Sequence, residues 1–104
     1  MRLLLLAEAE AEVESARQYL NLQVLDLGTR FLDDLELTLQ EISLRPASFP
    51  KLETLPDDQA YQRALLSVFR YAVIYECLDE EIVVVAVAHS SRRPSYWLNR
   101  RNPG

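Results

Sequence analysis

The chain opens on four apolar residues, Leu3, Leu4, Leu5 and Leu6, a run too short for a helix and of the right length for one buried strand over residues 2–6. Beyond it the period changes. From residue 7 to about 22, Ala9, Val13, Ala16 and Leu20 recur at helical spacing, while Glu8, Glu10, Glu12, Glu14 and Arg17 fill the other positions, which predicts an amphipathic helix. After a break at 21–25, Phe31, Leu35, Leu39 and Ile42 form a second helical stripe. Asp26 is placed to cap its start, and Pro46 ends it by disfavouring helical geometry at Arg45. Two helices in succession predict an antiparallel hairpin. Residues 45–60 hold Pro46, Pro50 and Pro56 and show no period, so they form a connecting loop. From residue 61 the pattern alternates every second position. Residues 61–68 read as one strand; Phe69, Tyr71, Val73, Tyr75 and Cys77 share a face of the next. Residues 82–89 are β-branched and apolar on both faces, which places them in the middle of the sheet. Asp79 and Glu80 supply the hairpin turn between these two strands, and Pro94 opens a short terminal turn carrying Tyr96, Trp97 and Arg100. The predicted fold class is α+β in the order β-α-α-β-β-β, a helical hairpin packed on one face of a small, mostly antiparallel four-stranded sheet.

With 104 residues the chain is expected to be a single domain, 1–104, closing in a short basic segment over 89–104. Apolar residues make up 49% and charged residues 26%, proportions that disfavour both disorder and membrane insertion. The longest later apolar run, from Ile82 to Ala88, is far below the ~20 residues a spanning helix needs. The opening leucines meet four glutamates at once and are read as a strand rather than a secretory leader. One cysteine, Cys77, cannot form an internal disulfide, which favours a reducing compartment and a cytoplasmic location. The net charge of −5 is unevenly spread. Residues 1–59 carry five basic side chains against twelve acids, whereas residues 60–104 carry six against four. From His89 onward there are four arginines (Arg92, Arg93, Arg100 and Arg101) and no acid, so a positive patch is expected on an acidic body. Overall acidity disfavours tight, nonspecific binding to free nucleic acid, which depends on many contacts from lysine and arginine to phosphate.

Several chemistries lack their residues. With glycine only at positions 28 and 104 there is no phosphate-cradling loop or dinucleotide fingerprint, and with one histidine there is no multi-histidine metal site; no cofactor or metal is expected. What remains is the cluster from His89 to Arg100. A histidine at a strand end exchanges protons near neutral pH, arginine neutralises a phosphate in its transition state, and tyrosine donates or accepts a proton. Together they could cleave RNA through its own 2′-hydroxyl. The plainer reading has His89 closing the strand, Arg92 or Arg93 paired with a local acid, and Trp97 in the core. Arg63, early in its strand, could share a face with the end of the last strand, and Arg70 reads as a turn residue facing water. The glutamates from Glu8 to Glu14, and Glu80 with Glu81, read as solvated faces.

Six segments in this order resemble the RelE/ParE toxin superfamily: Glu8-Ala9-Glu10-Ala11-Glu12, Leu27-Gly28-Thr29-Arg30-Phe31-Leu32, Arg45-Pro46-Ala47-Ser48-Phe49-Pro50, Arg63-Ala64-Leu65-Leu66, Phe69-Arg70-Tyr71-Ala72-Val73-Ile74-Tyr75, and the closing run from His89 to Trp97. The resemblance implies the growth-inhibiting toxin of a bacterial type II toxin–antitoxin (plasmid stabilisation) pair, neutralised by a cognate antitoxin made from the adjacent gene. RelE-like members cut messenger RNA in the ribosome, and ParE-like members poison DNA gyrase. By family position, Arg63, His89, Arg92 and Tyr96 match the functional side chains of the ribonucleases, the arginines as phosphate clamps and His89 or Tyr96 as proton donor or acceptor. The chain departs from the ribosome-directed members in being acidic and nearly free of lysine, and it has Arg70 where many relatives have proline. The acidity and the scarcity of lysine favour ParE-like action on gyrase through protein–protein contact, with the ribosome-dependent mRNA endonuclease as the alternative; the Arg70 difference is given no meaning. Arg92, Arg93, Trp97, Arg100 and Arg101 are the expected partner-binding residues, their arginines meeting an acid-bearing segment of the antitoxin.

Overall fold

A computed structural model of the chain describes residues 2–52, 61–91, 96–98 and 100. Strand β1 (Arg2–Leu5) leads into helix α1 (Ala7–Gln23) and helix α2 (Leu27–Leu44); a single 3-10 turn at Pro46–Ser48 comes next, then β2 (Tyr61–Leu65), β3 (Tyr71–Cys77) and β4 (Glu81–His89). The order is the one the periodicity predicts. The strands form one sheet in the order β1-β4-β3-β2, so the long apolar strand β4 is central. The sheet is mixed: β2–β3 and β3–β4 are antiparallel, while β1 and β4 run parallel. A parallel first pair results from the helical crossover that separates these two strands in the chain. At the β3–β4 hairpin the Leu78 N–H donates to the Glu81 carbonyl (2.8 Å), closing a two-residue turn on Asp79 and Glu80.

The helical hairpin covers one face of the sheet. Its core joins Ala9, Ala16, Phe31, Leu35 and Ile42 of the helices to Ala64, Val73, Tyr75, Ile82, Val84 and Val87 of the strands. The stripe of α1 is built largely from alanine, which seats the helix close to the strands. The opposite face is covered by the C-terminal segment. Trp97, 4% exposed, packs there with Tyr61, Ala72, Ile74, Val83, Val85 and Ala86, its ring 4.8 Å from that of Tyr61. Full burial of a large apolar side chain contributes roughly 1.5–3 kcal/mol, so the segment is part of the fold.

The α1–α2 junction differs in detail from the sequence reading. Helix α1 continues through the expected break to Gln23. Asp26 does precede α2, but its backbone is left-handed (φ 67°) and its side chain makes no capping bond. Asn21 of α1 acts instead, its Oδ1 accepting the Gly28 N–H at 2.7 Å. Gly28 itself is required by proximity, because a Cβ there would lie 2.4 Å from the Arg17 carbonyl oxygen.

Two irregularities set the geometry of the C-terminal half of β4. Register shifts between Ile74 and Tyr75, which pair with Ala86 and Val84 and leave Val85 unopposed as a β-bulge. Without it, strict alternation from Ile82 would set His89 on the far face; with it, Val87 returns to the helix-facing core and His89, two residues on, takes the same side. In addition, β1 ends opposite Val84, the last bond on that side being Leu6 N–H to the Val84 carbonyl (3.0 Å). Residues 85–89 of β4 therefore continue with no strand beside them on that edge among the described residues.

Candidate functional site

The strand edge beyond Val84 is met by side chains. Glu12 of α1 accepts the Val87 N–H on Oε1 (3.0 Å), and Arg100 donates to the Val85 carbonyl from Nη1 (2.8 Å). The two side chains also pair directly, through Nη1 to Oε1 at 2.8 Å and Nη2 to Oε2 at 3.1 Å, and the Tyr96 hydroxyl donates to Glu12 Oε2. Each partner of the ion pair is only 17% exposed. The pairing with Glu12 raises the Arg100 pKa above its ordinary value in spite of burial. One carboxylate thus ties α1, β4 and the C-terminal segment together, and Glu12 and Arg100 each supply one of the edge bonds that a longer β1 would have made.

This placement differs from the sequence reading. Glu12 belongs to the glutamate run expected to be solvated, yet it lies three residues after Ala9 and four before Ala16, both buried, which sets it at the margin of the packed stripe. Arg100, expected on a free cationic patch, is turned inward and neutralised. Arg92, Arg93 and Arg101 lie outside the described residues, as does Pro94.

Beside this junction a cleft of ≈320 Å³ opens between α1 and the end of β4, lined by Ala11, Glu12, Ser15, Ala16, Tyr19, Tyr71, Val87, Ala88 and His89. Its lining includes the small residues Ala11, Ser15, Ala16 and Ala88, and its polar groups are phenol, imidazole, hydroxyl and the Arg100-paired Glu12. The His89 ring stands edge-on to Tyr71, centroids 5.2 Å apart. Its Nδ1 accepts the Ser91 N–H at 3.1 Å and lies 2.7 Å from Ser91 Oγ, so the proton of the neutral ring resides on Nε2. Burial, with a smaller contribution from the neighbouring Tyr19, raises the pKa of Tyr71 and keeps its phenol protonated. Among the described residues no lysine or arginine lines the cleft, which presents hydrogen-bonding groups beside apolar surface.

Of the four residues expected to form a ribonuclease centre, Arg92 lies outside the described residues, and Arg63 and His89 are placed apart. Arg63 pairs with Ile74, which pairs with Ala86, and so belongs to the face opposite the helices, whereas the bulge puts His89 on the helix side. The Tyr96 hydroxyl is engaged by Glu12. Trp97 is in the core, the plainer of its two readings. Tyr19, Tyr71 and Glu12 were not candidates from sequence; only the spacing of Glu12 within the alanine stripe carried a signal. Among the described residues no group of His, Cys, Asp and Glu is arranged to hold a metal ion, and no helix is long and apolar enough to cross a membrane.

The family model described as "ParE toxin of type II toxin-antitoxin system, parDE" matches residues 3–94, and the chain belongs to this family. Among solved structures, the fold is similar to one described as the chromosomal ParDE TA system from P. aeruginosa, with a TM-score of 0.74 at 10% identity over 86% of this chain and 95% of that one. No curated protein matches the sequence.

Proposed function

We propose that this chain is a growth-inhibiting toxin that acts on DNA gyrase by protein–protein contact and is held inactive by a cognate antitoxin. Membership of the ParE family supports the toxin role. The observation that carries the choice of target is the separation of Arg63 from His89 across the sheet. In-line attack of a 2′-hydroxyl needs a base, an acid and a cation converging within hydrogen-bond reach of one phosphate. Two further features point the same way. Among the described residues, Tyr96 and Arg100 bond Glu12, and no lysine or arginine lines the cleft beside His89. The net charge of −5 also suits a protein target better than the phosphate-rich decoding site of the ribosome.

Induction of the gene alone in bacteria, with pulse labelling of nascent DNA and nascent protein as growth slows, tests the proposal. DNA synthesis falls first if gyrase is the target. Protein synthesis falling first, with messenger RNA cut at codon-linked positions, would establish the ribonuclease alternative instead.

A further inference from the structure

The sheet ends on β1, and among the described residues no strand pairs with its outer edge. The Arg2 and Leu6 N–H groups donate inward to the Glu80 and Val84 carbonyls, so strand alternation turns the N–H and C=O of Leu3 and Leu5 outward. Proteins blunt such an edge with a charge, a proline or a bulge. From Leu3 to Leu5 this one carries only leucine. Apolar surface flanks the edge on both faces of the sheet. On the face away from the helices Leu4 is 37% exposed. On the helix side a groove of ≈410 Å³ runs between β1 and α2, lined by Leu3, Glu36, Leu39, Gln40, Ser43 and Leu44, the last 77% exposed.

This edge is complementary to itself. When two copies meet antiparallel about a two-fold axis through Leu4, Leu3 of each stands opposite Leu5 of the other, and the outward N–H of one meets the outward C=O of its mate. No other antiparallel register pairs both residues with each other. The same axis sets Leu4 against its own counterpart in the closer, non-hydrogen-bonded kind of pair. Both helical hairpins then lie on one side of the joined sheet, with the grooves lined by Leu39 and Leu44 along the seam. Charge favours the same arrangement. Arg2 lies beside Asp79, Glu80 and Glu81 without an ion pair to any of them, and the exposed Glu8 just past the other end of β1 makes none either among the described residues. Antiparallel pairing carries the Arg2 end of one strand to the Glu8 end of the other.

We propose that the chain forms a two-fold dimer in which β1 of one copy pairs antiparallel with β1 of a second, joining their sheets into one. Sedimentation of the purified full chain, combined with amide hydrogen exchange, tests this. At about 100 μM the wild type sediments at twice the mass of the chain, and exchange at Leu3 and Leu5 slows about tenfold or more between dilute and concentrated samples. L4K sets like charges opposite each other across the axis and sediments as a monomer, as does L4E; an equal mixture of the two regains the dimer. Wild type that stays monomeric at this concentration overturns the proposal. So does a dimer that L4K leaves intact, or one whose Leu3 and Leu5 amides exchange at the same rate at every concentration. If those amides become protected only when an antitoxin is added, the edge belongs to that partner and the second-copy assignment falls. The exchange measurement is made on wild type, so a variant that fails to fold does not rescue the idea. None of these readouts involves growth arrest, so the dimer stands or falls separately from the gyrase reading.

Discussion

At the scale of single residues, most of the chemistry resides in buried polar groups that answer backbone atoms. Glu12 is the most connected of them. Replacing it by alanine strands the Arg100 guanidinium and leaves the Val87 N–H without its acceptor, a cost of about 2–4 kcal/mol for a half-buried pair. A double-mutant cycle between E12A and R100A, read from urea midpoints, is expected to give a coupling energy of about 1 kcal/mol or more; strict additivity would show that the pair is incidental. Tyr75 is fully buried, and its hydroxyl donates to the Pro46 carbonyl, tying the turn after α2 to the sheet. Burial, with a smaller contribution from Cys77, pushes its pKa up to about 12. Because the folded state holds this proton more tightly than the unfolded state, the associated stability is complete below pH ~10 and is lost as pH rises through about 12. Stability curves measured between those limits should therefore fall less steeply for Y75F than for wild type. Parallel curves would contradict the assignment.

At the scale of elements, the helices and strands were legible because each has a clear period, and the exceptions have physical causes. The alanine stripe of α1, the leucine-rich stripe of α2 and the doubly apolar β4 all occupy the positions their patterns dictate. The bulge at Val85 was not legible, because an inserted residue within a run of valines and alanines leaves no mark on hydrophobicity, yet it decides which face His89 joins. The capping of α2 was misassigned for a related reason. Asp26 has the chemistry of a cap, but the bond comes from Asn21, seven residues before Gly28 in sequence and adjacent to it only after the hairpin closes. The close helix crossing at Gly28 yields a further prediction. G28A forces the new methyl against the Arg17 carbonyl and should destabilise the protein by about 1–3 kcal/mol, seen as a lowered melting temperature. An unchanged melting temperature would mean that the helices separate at no cost. D26G is expected to act in the opposite direction, raising stability by up to about 1 kcal/mol by relieving the left-handed backbone.

At the scale of the whole molecule, the sheet divides two tasks between its faces. One carries the helical hairpin and, at the end of β4, the cleft beside His89; the other is sealed by Trp97, whose segment is pinned by Arg100 to the open edge of β4. The sequence separated the acidic hairpin from the more basic second half, but it could not tell which arginines stay free, since that depends on Glu12 reaching across from α1. The resulting surface suits contact with proteins, and supercoiling by purified gyrase measures that most directly. With relaxed plasmid and ATP, addition of the toxin should block supercoiling in a dose-dependent way, and the antitoxin should restore it. Full supercoiling at saturating toxin, accompanied by codon-linked cleavage of messenger RNA in a translation extract, would contradict the account.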